Sequence, residues 1–476
     1  MNDRYDYLIV GSGAGGSAAA YGLAQSGRRV LLLEKGPVLP TDGSTLDVDK
    51  VIRQGAFKSK ETWVNKDGAT FVPEEYFNLG GKTKWYGAAV LRFDPHEFEA
   101  DAEHQCLPWP ISYQELTPYY EQAEQLLGVQ QFKLEPDLQI IVDKLQRNGA
   151  GWNTQPLPLA LDPAILNYPE EARHFDAFAS VKGLKADGQR TLLEPVQSLP
   201  NLTLLTGHPV RSLLTQGDSP QQISGVMTED GRQFQAGVVL LAAGALHSPR
   251  LLQEYLAGLT NQLPAARSVG RYYKHHLLSA LIAFSTSPKT DLLRKTVFLS
   301  HDQFPHSSIQ PLGFDGELIG TLLPVPRWFA NALGHRAYGF FLQTEDGSDP
   351  NNRVVAKANG KDYPQLDYDP QRLPAALQEH RQLVRAFRRS LLRAGLLGVA
   401  QSVPLAGTAH ACGTLVTGKE PSTSVVDANG KVHGMKNLYV VDGSVLPRSS
   451  RVNPSLTIYA WALRVADHLL NSSEPG

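Results

Sequence analysis

Three polar residues near the end of this 476-residue chain, His410, Asp442 and Asn453, are of types that can do chemistry. A histidine can accept a proton, and an asparagine can donate a hydrogen bond to an oxygen that gains negative charge. One histidine among 14 is seldom catalytic, so a second feature must place these residues at a site. The run Gly11-Ser-Gly-Ala-Gly-Gly16 is such a feature, because glycines let backbone N–H groups approach an anion such as a pyrophosphate. If the fold brings these groups together, the sequence predicts one cavity with proton chemistry beside a nucleotide.

The elements around this glycine loop are those of a nucleotide-binding β–α–β unit. The apolar strand Tyr7–Val10 precedes the loop, a helix rich in small residues follows it, and Arg29–Leu33 predicts a second strand. Glu34 ends that strand about 20 residues after the loop, where an acidic side chain accepts hydrogen bonds from the ribose of an adenine dinucleotide. A purely structural glycine turn is the alternative, which the strand, helix and acidic residue disfavour. The loop by itself does not separate FAD from NAD.

Two further segments predict parts of the same sheet. The apolar run Gly237–Gly244 is typical of a parallel strand that is buried on both faces, and Ser248-Pro249 predicts the start of the next helix. Leu438–Val441 predicts a short strand that delivers Asp442 to a carboxyl end, where open α/β sheets bind ligands. Asn453 is predicted as the N-cap of a terminal helix with Pro454 in its first turn, and this N-terminus favours nearby negative charge.

The middle of the chain has a different character. A second glycine pair, Gly80-Gly81, precedes Thr83 and suits a nest of N–H groups against a ligand, although a surface loop that needs positive φ is an alternative. Aromatic-rich strands from about 270 to 400 predict an antiparallel sheet, with a turn at 358–361. A long helix over 374–392 carries a row of arginines, for which a solvated face is favoured over a docking surface for an acidic redox partner.

Length and composition limit the class of protein. A chain of 476 residues predicts two domains, and 42% hydrophobic residues with a net charge of −2 give no bias toward nucleic acid or membranes. Cys106 and Cys412 cannot build a disulfide framework or a cysteine-rich metal site, which suits a reducing compartment. We find no signal peptide and no transmembrane segment in this sequence, so the expected location is cytoplasmic. A membrane anchor in a partner subunit stays open.

In their order along the chain these motifs resemble the glucose–methanol–choline (GMC) family of FAD-dependent oxidoreductases, and the likeness covers nearly the whole chain. The matching motifs are Gly11–Gly16, Gly80-Gly81, Trp109-Pro-Ile-Ser-Tyr-Gln-Glu-Leu116, Ala242-Ala-Gly-Ala-Leu-His-Ser-Pro-Arg-Leu-Leu252, His410-Ala-Cys-Gly-Thr414, Val441-Asp-Gly-Ser444 and Asn453-Pro454. Lys82, Tyr86, Leu415 and Thr417 depart from the family pattern.

The resemblance implies an α/β fold with a Rossmann-like FAD-binding domain and a second, α+β substrate domain built on an antiparallel sheet. The FAD-binding domain is expected to comprise 1–130, 190–272 and 405–476, the substrate domain 273–404, and the segment 131–189 to cross between them. FAD is expected to be non-covalent, because Trp85 stands where some relatives attach the flavin through histidine.

The same resemblance implies the site residues. His410 is expected to be the catalytic histidine and Asn453 its partner, with Glu34 on the adenosine ribose, Val210 near the adenine and Asp442 beside the ribityl chain or pyrophosphate. The cofactor-binding residues expected on this basis are Gly11, Ser12, Gly13, Gly15, Gly16, Glu34, Gly80, Gly81, Thr83, Val210, Ala243, Gly244, Asp442, Gly443, Pro454 and Ser455. No metal site is predicted.

The implied reaction is oxidation of a CH–OH group in an alcohol, polyol or sugar to a carbonyl. The carbon gives a hydride to flavin N5 while His410 accepts the hydroxyl proton and Asn453 donates a hydrogen bond to the oxygen. Oxygen, a quinone or a cytochrome stays open as electron acceptor, as does the identity of the alcohol. Two alternatives are a redox-neutral flavin-containing lyase on the same fold and an NAD-dependent dehydrogenase, for which Asp442 and Asn453-Pro454 have no obvious use.

Overall fold

The computed structural model describes residues 4–147, 151–217, 219–259, 263–323, 325–357 and 363–472, and the predicted turn at 358–361 lies outside them. The strands are β1 (Arg4–Val10), β2 (Val30–Leu33), β3 (Trp63–Asn65), β4 (Thr70–Phe71), β5 (Gln130–Gln131), β6 (Trp152–Pro156), β7 (Pro158–Leu159), β8 (Leu202–Leu205), β9 (Val210–Gln216), β10 (Ser219–Thr228), β11 (Gln233–Leu241), β12 (Leu277–Phe284), β13 (Val297–His301), β14 (Ser307–Pro311), β15 (Ala337–Thr344), β16 (Arg353–Val355), β17 (Gln365–Asp367), β18 (Leu397–Ser402) and β19 (Leu438–Val440). The α-helices are α1 (Ala14–Ala24), α2 (Tyr113–Leu126), α3 (Pro136–Arg147), α4 (Pro169–Arg173), α5 (Gly244–Ala257), α6 (Gly316–Leu322), α7 (Arg327–Gly334), α8 (Pro374–Arg393) and α9 (Ser455–Asn471).

The first large sheet contains the predicted β–α–β unit. Its strand order is β8-β2-β1-β11-β10-β9, with β19 also paired to β11. Strands β8, β2, β1, β11 and β19 run parallel to one another, whereas β10 pairs antiparallel with β11 and β9 pairs antiparallel with β10. The carboxyl ends of β1, β2, β11 and β19 therefore meet at one edge, which is the ligand edge of α/β sheets.

The second large sheet is antiparallel, as the aromatic-rich middle of the chain predicts. Its order is β18-β12-β15-β14-β13-β6. Alternate residues of β12, such as Leu281, pack with Phe340 of β15 and with Phe387 of α8 in one core. The predicted long helix is α8, and the arginines along it are exposed, as expected for a solvated face. These two sheets confirm the predicted α/β fold class. The domain limits stay a prediction.

Two predicted helix starts are wrong, and each has a long-range cause. Helix α5 begins at Gly244 and not at Pro249, because Asp442 accepts hydrogen bonds from the Gly244 N–H at 2.8 Å and the Ser248 hydroxyl at 2.5 Å. Helix α9 begins at Ser455, one residue later than predicted, and Asn453 is not its N-cap. The amide of Asn453 is instead bonded to two side chains of the site described below.

None of the helices within the described ranges is long and apolar enough to cross a bilayer.

Candidate active site

The glycine loop after β1 is built by close backbone contacts. Gly11 has φ +102°, and a Cβ there would lie 2.5 Å from the carbonyl oxygen of Ala242 at the end of β11. A Cβ at Gly15 would overlap the carbonyl oxygen of Val441, and one at Gly16 would overlap that of Gly11. These three positions require glycine because the ends of β1, β11 and β19 and the start of α1 share one small space.

Gly13 differs from the other glycines of the loop. A Cβ at Gly13 would meet nothing within 4 Å among the described residues, although Gly13 lies at the N-terminus of α1. Backbone N–H groups at such a terminus attract an anion, and the space in front of them admits one. This space fits the pyrophosphate of a dinucleotide.

Glu34 is buried at the end of β2 and joins three loops. Its Oε2 accepts hydrogen bonds from the backbone N–H of Ser12 at 3.0 Å and from its hydroxyl at 2.5 Å, and its Oε1 accepts one from Gly36 N–H at 2.8 Å. The Ser12 oxygen also accepts a hydrogen bond from Gly80 N–H at 3.0 Å. Burial raises the pKa of the Glu34 carboxyl. Val210 begins β9 two residues after His208, whose N–H donates to the Glu34 carbonyl at 2.9 Å.

The second glycine pair does lie against the first loop. Gly80 and Gly81 have φ values of +87° and +55°, as both sequence interpretations require, and Gly80 is buried. A Cβ at Gly81 would lie 3.0 Å from Gly13 Cα. Thr83 donates its hydroxyl to the Gly80 carbonyl at 2.6 Å and accepts from Gly188 N–H at 2.8 Å. A loop packed in this way borders the open space in front of Gly13.

Asp442 organises the far side of the same edge. Its two oxygens accept four hydrogen bonds, two from Gly244 N–H and the Ser248 hydroxyl and two from the N–H and hydroxyl of Ser444 at 2.9 and 2.5 Å. Burial raises the pKa of this carboxyl. The Ala243 N–H donates to the Ser248 oxygen, which completes the turn into α5. Direct contact of Asp442 with a cofactor stays a prediction.

The segment after Asp442 links this edge to the predicted catalytic residues. Gly443 accepts a hydrogen bond from Gly413 N–H at 3.1 Å, so the chain that carries His410 runs alongside 443–445. Pro454 and Ser455 lie at the N-terminus of α9, and the buried Ser455 hydroxyl has no hydrogen-bond partner in the described part of the chain. Because buried hydroxyls are nearly always bonded, this orphaned group fits a polar atom of a bound cofactor.

His410 and Asn453 face each other across this site. The distance from His410 Nε2 to Asn453 Nδ2 is 3.3 Å, and both residues are part-exposed. Gln310 on β14 donates from Nε2 to Asn453 Oδ1 at 2.5 Å, which directs Asn453 Nδ2 toward the histidine. Burial, to which the positive charges of Lys295 and Lys82 add, holds the pKa of His410 well below its usual value. His410 is therefore neutral at pH 7 and can accept a proton.

Sequence reasoning missed the residue behind His410. His276 is fully buried just before β12, and its Nδ1 lies 2.8 Å from His410 Nδ1. Its Nε2 lies 2.7 Å from the carbonyl oxygen of Ser450. Gln310 was missed as well. Neither residue belongs to a local motif, and their contacts with His410 and Asn453 join positions far apart in the chain.

The residues that depart from the family pattern have partners of their own. Lys82 pairs with Glu75 and donates to the Thr408 carbonyl at 2.8 Å, so it ties the glycine loop to the segment before His410. Tyr86 donates its hydroxyl to the Ala186 carbonyl at 2.8 Å. Trp85 donates from Nε1 to Asn78 Oδ1 at 2.9 Å.

Two sequence models described as GMC oxidoreductase match residues 5–278 and 348–462, which include every loop of this site and both facing side chains. The chain belongs to the GMC oxidoreductase family. The family expected from the sequence motifs is thus confirmed.

Individual relatives of this GMC oxidoreductase cover almost its whole length. Paromamine 6'-oxidase from Streptomyces fradiae is 29% identical over 98% of this chain and 91% of the relative. 2-Methyl-1,2-propanediol dehydrogenase from Mycolicibacterium austroafricanum is 26% identical over 98% of this chain and 95% of the relative. The crystal structure of pyridoxine 4-oxidase from Mesorbium loti has the same fold, with a TM-score of 0.71 and 19% identity over 99% and 100% of the two chains.

The family and the site together identify the cofactor and the class of reaction. This GMC oxidoreductase is an enzyme that uses FAD and acts on CH–OH donors. The open space before Gly13 and the orphaned Ser455 hydroxyl are consistent with FAD in this position.

Proposed function

We propose that this enzyme oxidises the CH–OH group of an alcohol, polyol or sugar to a carbonyl, with His410 as the base. The observation that carries the proposal is the neutral, part-exposed His410, whose Nε2 lies 3.3 Å from Asn453 Nδ2. A substrate hydroxyl placed between these two nitrogens meets one acceptor and one donor. When bound, FAD supplies the acceptor for the hydride that leaves the substrate carbon.

The chain's own residues have separate tasks in this proposal. His410 Nε2 accepts the hydroxyl proton, and Asn453 Nδ2 donates a hydrogen bond to the same oxygen as it becomes negative. Gln310 leaves Asn453 Nδ2 free for that task, because it occupies the other atom of the amide. The N-terminus of α9 and the nearby Lys82 add positive potential where negative charge develops.

The proposed cofactor contacts follow the four loops of the ligand edge. The pyrophosphate space is enclosed by the loops Gly11 to Gly16 and Gly80 to Thr83. The adenosine end is placed near Glu34 and Val210. The flavin end is placed near Asp442 to Ser444 and Ser455. FAD is expected to be bound non-covalently, because the family resemblance puts Trp85 where some relatives attach the flavin through histidine. We assign FAD binding to 1–130, 190–272 and 405–476, and substrate binding to 273–404.

The substrate class is proposed from chemistry shared with the relatives. The names of these two relatives describe an oxidase of paromamine and a dehydrogenase of a diol, and both substrates carry more than one hydroxyl group. We therefore propose a small polar polyol or sugar as the substrate. One relative is called an oxidase and the other a dehydrogenase, so oxygen and a separate acceptor both need testing.

The first experiment is the anaerobic visible spectrum of the purified enzyme before and after addition of alcohols, diols, sugars and amino sugars. Bleaching of the flavin bands by one class supports the proposal and names that class. The His410→Ala variant is expected to stay yellow and to lose this bleaching, whereas His335→Ala, at an exposed histidine after α7, is expected to bleach normally. Undiminished bleaching of His410→Ala would remove the histidine from its role. Turnover without bleaching would favour the lyase alternative.

A further inference from the structure

We propose that His276 is a positioning residue that holds His410 in the tautomer with hydrogen on Nδ1 and an unprotonated Nε2. This inference rests on the proposed role of His410 as the base and names what keeps it in the basic form. It assigns a function to a buried histidine that is hydrogen-bonded to His410, Ser450 and Asp346.

The first step concerns the hydrogen on His276. Its Nε2 lies 2.7 Å from the Ser450 carbonyl oxygen, which only accepts hydrogen bonds, so Nε2 carries a hydrogen. Burial lowers the pKa of His276, which is consistent with a neutral ring that has one hydrogen. Its Nδ1 is then a bare acceptor.

The second step concerns the hydrogen on His410. The two Nδ1 atoms are 2.8 Å apart, and a bond at this distance needs one hydrogen between them. Since His276 Nδ1 has none, His410 Nδ1 must donate. The neutral ring of His410 then leaves Nε2 free to accept.

The hydrogen bonds on the other side of His410 agree with this direction. Gln310 donates to Asn453, and Asn453 Nδ2 donates toward His410 Nε2. The hydrogen bonds thus form one series, from Gln310 through Asn453, His410 and His276 to the Ser450 carbonyl. In each of them the donor lies on the Gln310 side. The opposite tautomer of His410 would place two N–H groups together at Asn453 and two lone pairs together at His276, so it is disfavoured at both ends.

The backbone holds His276 in an uncommon conformation for this purpose. Its φ is +66°, a region that histidine adopts only occasionally. The buried Asp346 carboxylate accepts hydrogen bonds from the N–H groups of His275 at 2.9 Å and His276 at 3.2 Å, and from the Ser449 hydroxyl at 2.9 Å. The same carboxylate thus fixes the segment that carries His276 and the segment next to Ser450.

Three variants separate the acceptor from the backbone conformation. Asparagine and glycine both tolerate positive φ. In His276→Asn, Oδ1 takes the place of Nδ1 and still accepts from His410, so kcat is expected to stay within about 5-fold of wild type. In His276→Gly no acceptor remains, and kcat is expected to fall about 10- to 100-fold, as for other residues that orient a reacting side chain. In His276→Asp the acceptor is charged.

The pH dependence of His276→Asp distinguishes the proposed contact from a purely structural role, which would leave that pH dependence unchanged. A carboxylate beside the ring favours imidazolium, so the pKa of His410 rises. Since the base must be unprotonated, the acid limb of kcat/KM is expected to move to higher pH. The other charged groups near the ring, Lys82, Lys295, Asp346 and Glu345, are unchanged in this variant. An unmoved acid limb would contradict the proposed contact.

The tautomer itself is read by nitrogen-15 NMR of the FAD-loaded enzyme with labelled histidine, in which protonated and bare ring nitrogens have well separated shifts. The signals of His410 are those lost in His410→Ala. We expect hydrogen on Nδ1 in wild type and His276→Asn, and a tautomer mixture in His276→Gly. Hydrogen on Nε2 of wild-type His410, or an unchanged signal and rate in His276→Gly, would overturn the inference. Failure of the proposed function is seen separately, as normal flavin reduction in His410→Ala.

Discussion

Single glycine-to-alanine changes in the loop after β1 are expected to separate the stability of the fold from the binding of FAD. At Gly15 the added Cβ would overlap the Val441 carbonyl oxygen, lie 2.7 Å from its carbon and come within 3.1 Å of Asp442 Cα. At Gly13 the added Cβ would meet no described atom within 4 Å. Both positions tolerate an L residue in their dihedral angles, since Gly13 has φ −63° and Gly15 lies in α1. The two variants are therefore matched in chemistry and differ only in surroundings.

The structure gives the size of the effect at Gly15. The obstacle is backbone of a strand end, and Val441 N–H is bonded to the Leu241 carbonyl at 2.9 Å, so β19 cannot yield without loosening its pairing with β11. Overpacking of this kind costs about 1–3 kcal/mol, while alanine in place of glycine in a helix returns about 0.5–1 kcal/mol. Because the obstacle is backbone, the cost is expected in the upper part of that range, at about 2–3 kcal/mol, so Gly15→Ala should lower the free energy of unfolding by about 1–2.5 kcal/mol. The measurement is urea denaturation of the FAD-free protein.

Gly13→Ala is expected to behave in the opposite way. Its unfolding free energy stays at the wild-type value or rises slightly, because the methyl group touches no part of the chain. The dissociation constant of FAD rises about 10- to 100-fold, equivalent to about 1.4–2.8 kcal/mol, because the methyl group fills the space in front of the α1 N-terminus. Quenching of flavin fluorescence on titration measures it. Wild-type FAD affinity in Gly13→Ala would refute the assignment of this space to the pyrophosphate, and wild-type stability of Gly15→Ala would refute the close backbone contact.

Three further outcomes are expected. Because the pKa of His410 is lowered, the histidine stays unprotonated at pH values below the usual pKa of histidine. The rate of flavin reduction, measured by rapid mixing, should therefore stay constant to below pH 6.5 and decline only at more acidic pH. A decline that begins near pH 8 would contradict this. Gln310→Leu frees the Asn453 amide to rotate, so reduction should slow about 10-fold with FAD content unchanged, and an unchanged rate would mean that Gln310 does not orient Asn453. Acid precipitation should release the yellow colour into the supernatant, since Trp85 offers no covalent linkage; colour retained in the pellet would show a linkage elsewhere.

The glycine loops that border the proposed FAD space could be predicted from the sequence because local backbone chemistry forms them. Each of these segments follows or precedes a helix or strand whose sequence pattern can be recognised; they are Gly11 to Gly16, Glu34 and Gly80-Gly81. Close contacts require the small residues. The starts of α5 and α9 were predicted wrongly for the opposite reason. Asp442 reaches 198 residues back to Gly244, and Asn453 gives its amide to His410 and Gln310 instead of to its own helix. A rule for helix capping uses only residues close to the helix end in the sequence, so it does not detect contacts of this kind.

The substrate side could not be predicted, because it depends on contacts between the two large sheets. Asn453 follows β19 of the first sheet, and His410 lies in the segment between β18 of the second sheet and β19. The atoms that orient them belong to His276 before β12 and Gln310 on β14 of the second sheet. Each of these contacts joins residues more than 130 positions apart. In the proposed function, the first sheet thus supplies the FAD space through backbone, and the second sets the hydrogen positions of the proposed reacting side chains. Substitutions at His276 or Gln310 should therefore change the chemistry while leaving FAD bound, whereas substitutions at Gly13 should do the reverse.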